Sequence, residues 1–355
     1  MGRAKSNQPP EQQRQVHLKY KHVVLPRTGG PTVLQVVEDE LPEPGTNEVR
    51  VKILAAGVSF SEVLMRHGQY PGAPPMPFTP GYDMVGVVEK RGPGVSAFEV
   101  GQTVAALTVY GGYSQYICLP EKELVPVPPG VDPAEATSLV LSYVSAYQML
   151  HRIAQVKRGE SILVHGAAGG VGIAFLQLGK LAGLHLYGTA SKGKQERVSS
   201  LGATPIDYTT EDFVERIFIL TGDGVDAVFD PIGGTHLNRS FKTLRKGGRL
   251  VAYGFYSVVK HGGNALLDVV SQYLRLMLWN AAPNGKKATF YSITGVKKRH
   301  PEWFREDLAT LFDLLAKGQI KPIIAARFPL EDVVRAHELL ENGEVQGKIV
   351  LIPNS

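Results

Sequence analysis

The stretch His165-Gly166-Ala167-Ala168-Gly169-Gly170-Val171-Gly172 constrains this chain more than any other. The apolar run Ser161-Ile162-Leu163-Val164 precedes it and an apolar-periodic segment over residues 173–182 follows, so the context is strand, tight turn, helix. Small residues at 167 and 169 let the backbone turn sharply and approach a pyrophosphate. Gly172 lets the helix pack closely on the strand, and the N–H groups of the first helical turn face the anion. The spacing is A-x-G-x-x-G, with Ala167 in the first position. Alone, the turn fits two readings: a dinucleotide cradle with its phosphates at Ala168, Gly169, Gly170 and Val171, or a glycine-rich turn without a ligand.

The next strand favours the first reading. Where NAD is bound, an acidic residue about twenty positions on accepts hydrogen bonds from the ribose hydroxyls. Here the run His185-Leu186-Tyr187-Gly188-Thr189-Ala190 ends at Ser191 and Lys192. A carboxylate there repels a 2′-phosphate, whereas a hydroxyl and an ammonium hold one. The expectation is therefore NADPH, not NADH, with Ser191 and Lys192 as contacts; the alternative for Lys192 is a solvated loop.

At 355 residues the chain exceeds the size at which one core stops growing, so two domains are expected. A net charge of +5 is mild, and no basic run exceeds residues 296–300, so nucleic acid is not the expected partner. The single cysteine, Cys118, rules out disulfides within the chain and any cysteine-based zinc cluster, and suits a reducing, cytoplasmic setting. Residues 1–15 are polar and read as the start of a disordered tail, not a signal peptide. The most apolar long stretch, residues 265–281, contains Asp268 and Arg275, so no membrane span is expected.

Residues 17–135 show short β-type runs broken by Gly and Pro, such as residues 49–55 and 84–88. From residue 134 onward helical spacing sets in, then strands and helices alternate, which implies a parallel sheet covered on both faces. Past about residue 289 come an amphipathic helix over 302–315, two short β runs and the closing Lys348-Ile349-Val350-Leu351-Ile352-Pro353. That last run is expected to return to the β-rich domain and make it discontinuous.

This order resembles the medium-chain dehydrogenase/reductase superfamily. Val164 to Gly172 is similar to its zinc-free quinone oxidoreductase branch, to which zeta-crystallin belongs. Further matches are Gly188-Thr189-Ala190-Ser191-Lys192, Leu201-Gly202-Ala203, Ile206-Asp207-Tyr208, Asp230-Pro231-Ile232-Gly233-Gly234 and Gly347-Lys348-Ile349-Val350-Leu351. Through Ser142-Tyr143-Val144-Ser145-Ala146-Tyr147 the chain is also similar to the vesicle amine transport protein homologues. The resemblance implies an α/β fold, a Rossmann-type doubly wound parallel sheet plus a GroES-like β-rich catalytic domain. Residues 1–20 are then a tail, 21–138 and 289–355 the GroES-like domain, and 139–288 the NADPH-binding domain.

Zinc enzymes of the superfamily place a cysteine ligand in the segment matching Gly57-Val58-Ser59-Phe60-Ser61-Glu62, and a Gly-His-Glu where this chain has Gly81-Tyr82-Asp83. With no thiol and no imidazole at these places, Glu62 and Asp83 alone make a poor zinc site, and no metal is expected. Without a Lewis acid to lower a hydroxyl pKa, alcohol oxidation is difficult, so reduction of an electron-poor acceptor is favoured.

The resemblance places Tyr208 near the 2′-phosphate, Ser145 near the nicotinamide ribose and Lys348 on the cofactor from the returning segment. Tyr253, Gly254 and Phe255 end a strand at the carboxyl edge of the sheet, where such folds bind ligands, so they are expected at the nicotinamide. Arg66-His67-Gly68-Gln69-Tyr70-Pro71-Gly72 resembles the Gly-x-Tyr-Pro stretch of 2-enoyl thioester reductases, which makes Tyr70 either a proton donor or a packing residue. Ser59 stands where quinone oxidoreductases carry an asparagine close to the nicotinamide.

The expected function is zinc-independent, NADPH-dependent hydride transfer to a small electrophilic acceptor, a quinone or an α,β-unsaturated carbonyl. Alternatives are an enoyl-thioester or polyketide enoyl reductase and a non-catalytic NADPH-binding adaptor. A homodimer is the family expectation, and the apolar residues 269–279 either line an acceptor pocket or form a subunit contact.

Overall fold

The computed structural model of the chain describes residues 18–257 and 265–354. Of the expected tail, residues 1–17 lie outside the described residues, and the strand Lys19–Val24 pairs antiparallel with Gln35–Glu40.

A six-stranded parallel sheet runs in the order Thr204–Asp207, His185–Ala190, Ser161–Val164, Val225–Asp230, Leu244–Ala252, Lys287–Phe290. Its central strands are buried on both faces, which is why Ile162-Leu163-Val164 and Val225–Asp230 have no exposed residue. The strand order reverses between Ser161–Val164 and Val225–Asp230, and the crevice outside their carboxyl ends is where such sheets take ligands. The outermost strand, Lys287–Phe290, crosses the boundary expected after residue 288. Its Lys-Ala-Thr-Phe is short and only alternately apolar, as an edge strand can be.

The second sheet is mixed and seven-stranded. Its path runs Ile324–Pro329, Lys348–Ile352, Glu48–Val58, Met84–Arg91, Thr103–Ala106, Val125–Pro126, with Tyr116–Pro120 paired onto Glu48–Val58. The closing strand Lys348–Ile352 lies antiparallel to Glu48–Val58, so the chain does return to the strand-rich part. One apolar cluster spans both sheets, from Met65, Tyr82 and Leu107 through Val140 and Phe175 to Leu308 and Phe312.

Helical structure is continuous from Pro133 to Ile153. Leu139–Tyr143 and Gln148–Ile153 are π-helical and flank the α-helical turn Val144–Tyr147. Extra residues wound into a helix in this way are frequent beside functional sites.

Candidate functional site

The turn over residues 166–170 feeds the helix Gly170–Leu181, whose N-cap Gly169 supplies no side-chain cap. The first-turn amides therefore have no intrahelical acceptor and remain available to an anion. A Cβ on Gly172 would strike the Gly166 carbonyl and the Ala167 backbone, and one on Gly188 would come within 2.7 Å of the Ala167 Cβ. The close helix-to-strand packing that a dinucleotide cradle needs is thus enforced by absent side chains. The strand-rich part reaches this turn directly, since the Gly347 amide donates to the Ala168 carbonyl at 3.0 Å and Gly169 and Gly347 form a parallel bridge.

Ala190 is in register with Asp207, so Ser191 and Lys192 leave the second strand beside the point where Tyr208 leaves the third. Lys192 and Tyr208 are exposed and Ser191 is half-buried. An acid does end a neighbouring strand: Asp207 accepts from the Thr209 amide at 3.0 Å and from its hydroxyl at 2.6 Å, which holds its carboxyl low. It closes a turn there, and Lys192 lies close enough to favour its charge.

Across the crevice, the strand-rich part contributes ionisable side chains. The capping box of the helix Phe60–Arg66 joins Ser59 to Glu62: the Ser59 amide donates to Glu62 Oε2 at 3.1 Å, and the Ser59 hydroxyl donates to the same oxygen. Glu62 Oε1 accepts from the Tyr82 amide at 2.8 Å. Burial pushes the Glu62 carboxyl up to about 7, helped by Asp83 and opposed by Lys348 and Ser59. Lys348 Nζ lies 3.2 Å from Asp83 Oδ2, with both side chains buried, and burial raises the Asp83 carboxyl against the pull of that ammonium. Resemblance puts Lys348 on a cofactor; the structure places its Nζ on Asp83. The pair occupies the space that a side chain at Gly57 would need.

Tyr70 and Tyr82 share a hydroxyl hydrogen bond of 2.7 Å. Burial raises both phenols, Tyr70 to about 12 and Tyr82 further. Ser145, buried on the turn between the π segments, lies close enough to Tyr291 to bear on its hydroxyl, which donates to Gln148 Oε1 at 2.8 Å. Gln148 Nε2 in turn donates to the buried Asp307 at 2.9 Å. Tyr253, Gly254 and Phe255 follow the strand Leu244–Ala252, and Gly254 lies so close to the Pro231 backbone that a Cβ would overlap it.

Among the described residues, the one histidine, cysteine and carboxylate group whose ligand atoms converge as a metal site requires is His165, Asp230 and His236. Its centre is already filled. Ser240 Oγ donates to Asp230 Oδ2 at 2.6 Å and lies 3.1 Å from His165 Nε2, and His236 Nδ1 lies 2.8 Å from the same carboxylate. Burial lowers His165 to about 3. Burial opposes the charge on Asp230, yet the bonds from His236 and Ser240 hold that carboxyl down at about 2. This polar knot ties the ends of the strands Ser161–Val164 and Val225–Asp230 to the helix His236–Lys242, with Ser240 Oγ among the three ligand atoms where an ion would sit.

Sequence reasoning gives no role to the Tyr82 and Tyr291 hydroxyls or to this knot. Glu62 carries a readable signal, the Ser-x-x-Glu spacing of a capping box.

A doubly wound sheet with a glycine-turn cradle, facing a strand-rich unit whose closing strand hydrogen-bonds that cradle, defines a dinucleotide-dependent oxidoreductase fold. Residues 45–129 match the family model of the alcohol dehydrogenase GroES-like domain, and residues 201–351 match that of a zinc-binding dehydrogenase. The chain is 32% identical over 322 residues to the human synaptic vesicle membrane protein VAT-1 homolog, covering 88% of this chain and 80% of that one. It is 30% identical over 330 residues to rat (Rattus norvegicus) quinone oxidoreductase, covering 91% and 95% respectively. A crystal structure of Escherichia coli quinone oxidoreductase complexed with NADPH superposes with a TM-score of 0.83 at 32% identity, over 94% of this chain and 100% of that one. The chain belongs to the medium-chain dehydrogenase/reductase family, in its quinone oxidoreductase branch, and is an oxidoreductase of that type.

Proposed function

We propose that this protein is an NADPH-dependent reductase that transfers hydride to a quinone or an α,β-unsaturated carbonyl without zinc. The observation that carries the reading is the cradle itself: glycine gaps and free first-turn amides on the parallel sheet, clamped by Gly347. The turn at Ala168, Gly169, Gly170 and Val171 holds the pyrophosphate, and Ser191, Lys192 and Tyr208 hold the 2′-phosphate. Ser145 and the backbone of Tyr253, Gly254 and Phe255 face the nicotinamide end. Lys348 acts through Asp83, holding the closing strand on the cradle. Residues 21–138 and 291–355 form the catalytic domain, and 139–290, through the edge strand Lys287–Phe290, the nucleotide domain.

NADPH supplies the hydride; the chain's residues must orient the acceptor and neutralise the charge that develops on its oxygen. Tyr70 is the proton donor. Ser59 is the second donor: when Glu62 is protonated, its O–H donates to Ser59 and frees the serine proton for the acceptor. The match to a zinc-binding dehydrogenase model does not bring zinc donors with it. Glu62 is committed to Ser59 and the Tyr82 amide, and Asp83 to the Lys348 ammonium, which repels a dication. We read the protein as a cytoplasmic homodimer whose exposed Val270, Leu274, Met277 and Leu278 face a second copy, which gel filtration tests.

The decisive assay follows NADPH consumption at 340 nm with small quinones, enones and enoyl thioesters, before and after exhaustive chelation. Turnover of a quinone or enone that survives chelation is expected. NADPH binding without turnover on any acceptor would point to an adaptor, and loss of activity on chelation would remove zinc independence.

A further inference from the structure

We propose that residues 343–347 form a strap across the adenosine end of the dinucleotide site, fastened by Lys194, and that this fastening sets how long the cofactor stays bound. The inference rests on the 2′-phosphate lying at Ser191 and Lys192. It adds a positioning residue, Lys194, to which the family resemblance gave no role.

The strap leaves the helix Val333–Glu341 and runs into the closing strand Lys348–Ile352. It belongs to the strand-rich unit: Val345 packs on that unit's apolar cluster, and the Lys348 amide donates to the Ile323 carbonyl at 2.8 Å. Its fastenings reach the other way, to the parallel sheet. Lys194 Nζ donates to the Gly343 carbonyl and, at 2.9 Å, to the Val345 carbonyl. Arg197 Nε donates to Gln346 Oε1 at 3.3 Å, and the Gly347 amide donates to the Ala168 carbonyl at 3.0 Å.

These contacts lay the strap along the line of the cofactor's phosphates. Ser191 is the N-cap of the short helix Lys192–Lys194, and Ala168 lies in the glycine turn. The strap therefore runs from the loop assigned to the 2′-phosphate to the turn assigned to the pyrophosphate. Lys194 is half-buried and turned to the strap carbonyls, so its charge is committed to them, whereas Lys192, two residues earlier, is exposed. The two ends of the strap differ. Gly347 is buried, with a φ of +115°, and a Cβ there would overlap the Ile323 carbonyl. Gly343 and Glu344 are exposed, so the Lys194 end is the one free to lift. Lifting it breaks hydrogen bonds from a charged donor, each worth roughly ten- to a hundredfold in an equilibrium.

The test measures release of NADPH and of NADH from the wild type, Lys194→Met, Lys194→Arg and Arg197→Ala, by stopped-flow fluorescence with an excess of the oxidised dinucleotide as chase. Lys194→Met keeps the length of the side chain and removes its donors. It should speed release of both dinucleotides by about tenfold, leaving the preference for NADPH within about twofold of the wild type, because the strap crosses the part they share. Lys194→Arg, which keeps the donors, should restore slow release. Arg197→Ala, at an exposed position whose loss does not threaten folding, should speed release of both to a smaller degree. If Lys194→Met quickens the release of NADPH alone, Lys194 is a phosphate ligand and the strap is overturned. Unchanged release of both dinucleotides would overturn it as well. If the wild type binds neither dinucleotide, the proposed function itself fails and takes the strap with it.

Discussion

The parallel-sheet wall of the crevice offers backbone, glycine gaps over residues 166–172 and free helix amides, and its chemistry lies in what the side chains leave open. The facing wall offers side chains, Glu62, Asp83 and Lys348, all buried and all committed to partners. A backbone cradle fails by steric overlap, at any pH. A buried charge cluster fails by losing a counter-charge, and how badly depends on protonation. The two walls can therefore be told apart by how substitutions respond to pH.

The largest effect is expected at Lys348→Met, which leaves the Asp83 carboxylate buried without its partner. Breaking a buried pair in this way costs roughly 3–5 kcal/mol. Because Asp83 then folds best when protonated, the thermal midpoint of the variant should fall steeply as pH rises from 5 to 8; a loss that is the same at both ends would contradict the pairing.

Gly172→Ala tests the other wall. Its Cβ meets the Gly166 carbonyl and the Ala167 backbone, and overpacking of this kind costs roughly 1–3 kcal/mol. Chemical denaturation should show that loss unchanged across pH, and calorimetry should show NADPH binding weakened with it.

Glu62→Gln sharpens the contrast. The carboxyl is pushed up to about 7 in the folded protein, above its unfolded value of 4.5, so between those values the folded state holds the extra proton. Wild-type stability from this group is greatest below that window and falls as pH rises through it, by roughly 1–3 kcal/mol. The glutamine variant should lack that fall, so the gap between the two melting curves should narrow from pH 5 to pH 7.5. If Glu62 also frees the Ser59 proton, wild-type kcat should decline above pH 7.

The cradle was legible in sequence because its determinants are local. Ala167, Gly169 and Gly172 lie within six residues, a short unbroken apolar run and a 3.6-fold apolar period mark its strand and helix, and Ser191 and Lys192 follow at a fixed offset. The facing wall was not, because its members meet only through the fold: Asp83 and Lys348 are 265 residues apart. The resemblance picked out Lys348 but not its partner Asp83, since nothing local says that Gly57 leaves room for the ammonium beside that carboxylate. The edge strand Lys287–Phe290 escaped for a different reason: four residues of mixed polarity carry too little pattern to read.

The smallest free-energy change bears on the central claim, that the cradle selects a 2′-phosphorylated dinucleotide through the exposed Lys192. Calorimetric titration with NADPH and NADH, on the wild type and on Lys192→Ala, measures it directly. The account predicts that NADPH binds at least about tenfold more tightly than NADH, a difference of about 1.4 kcal/mol, and that the substitution removes most of this preference without weakening NADH. Equal affinities in the wild type, or tighter binding of NADH, would contradict it.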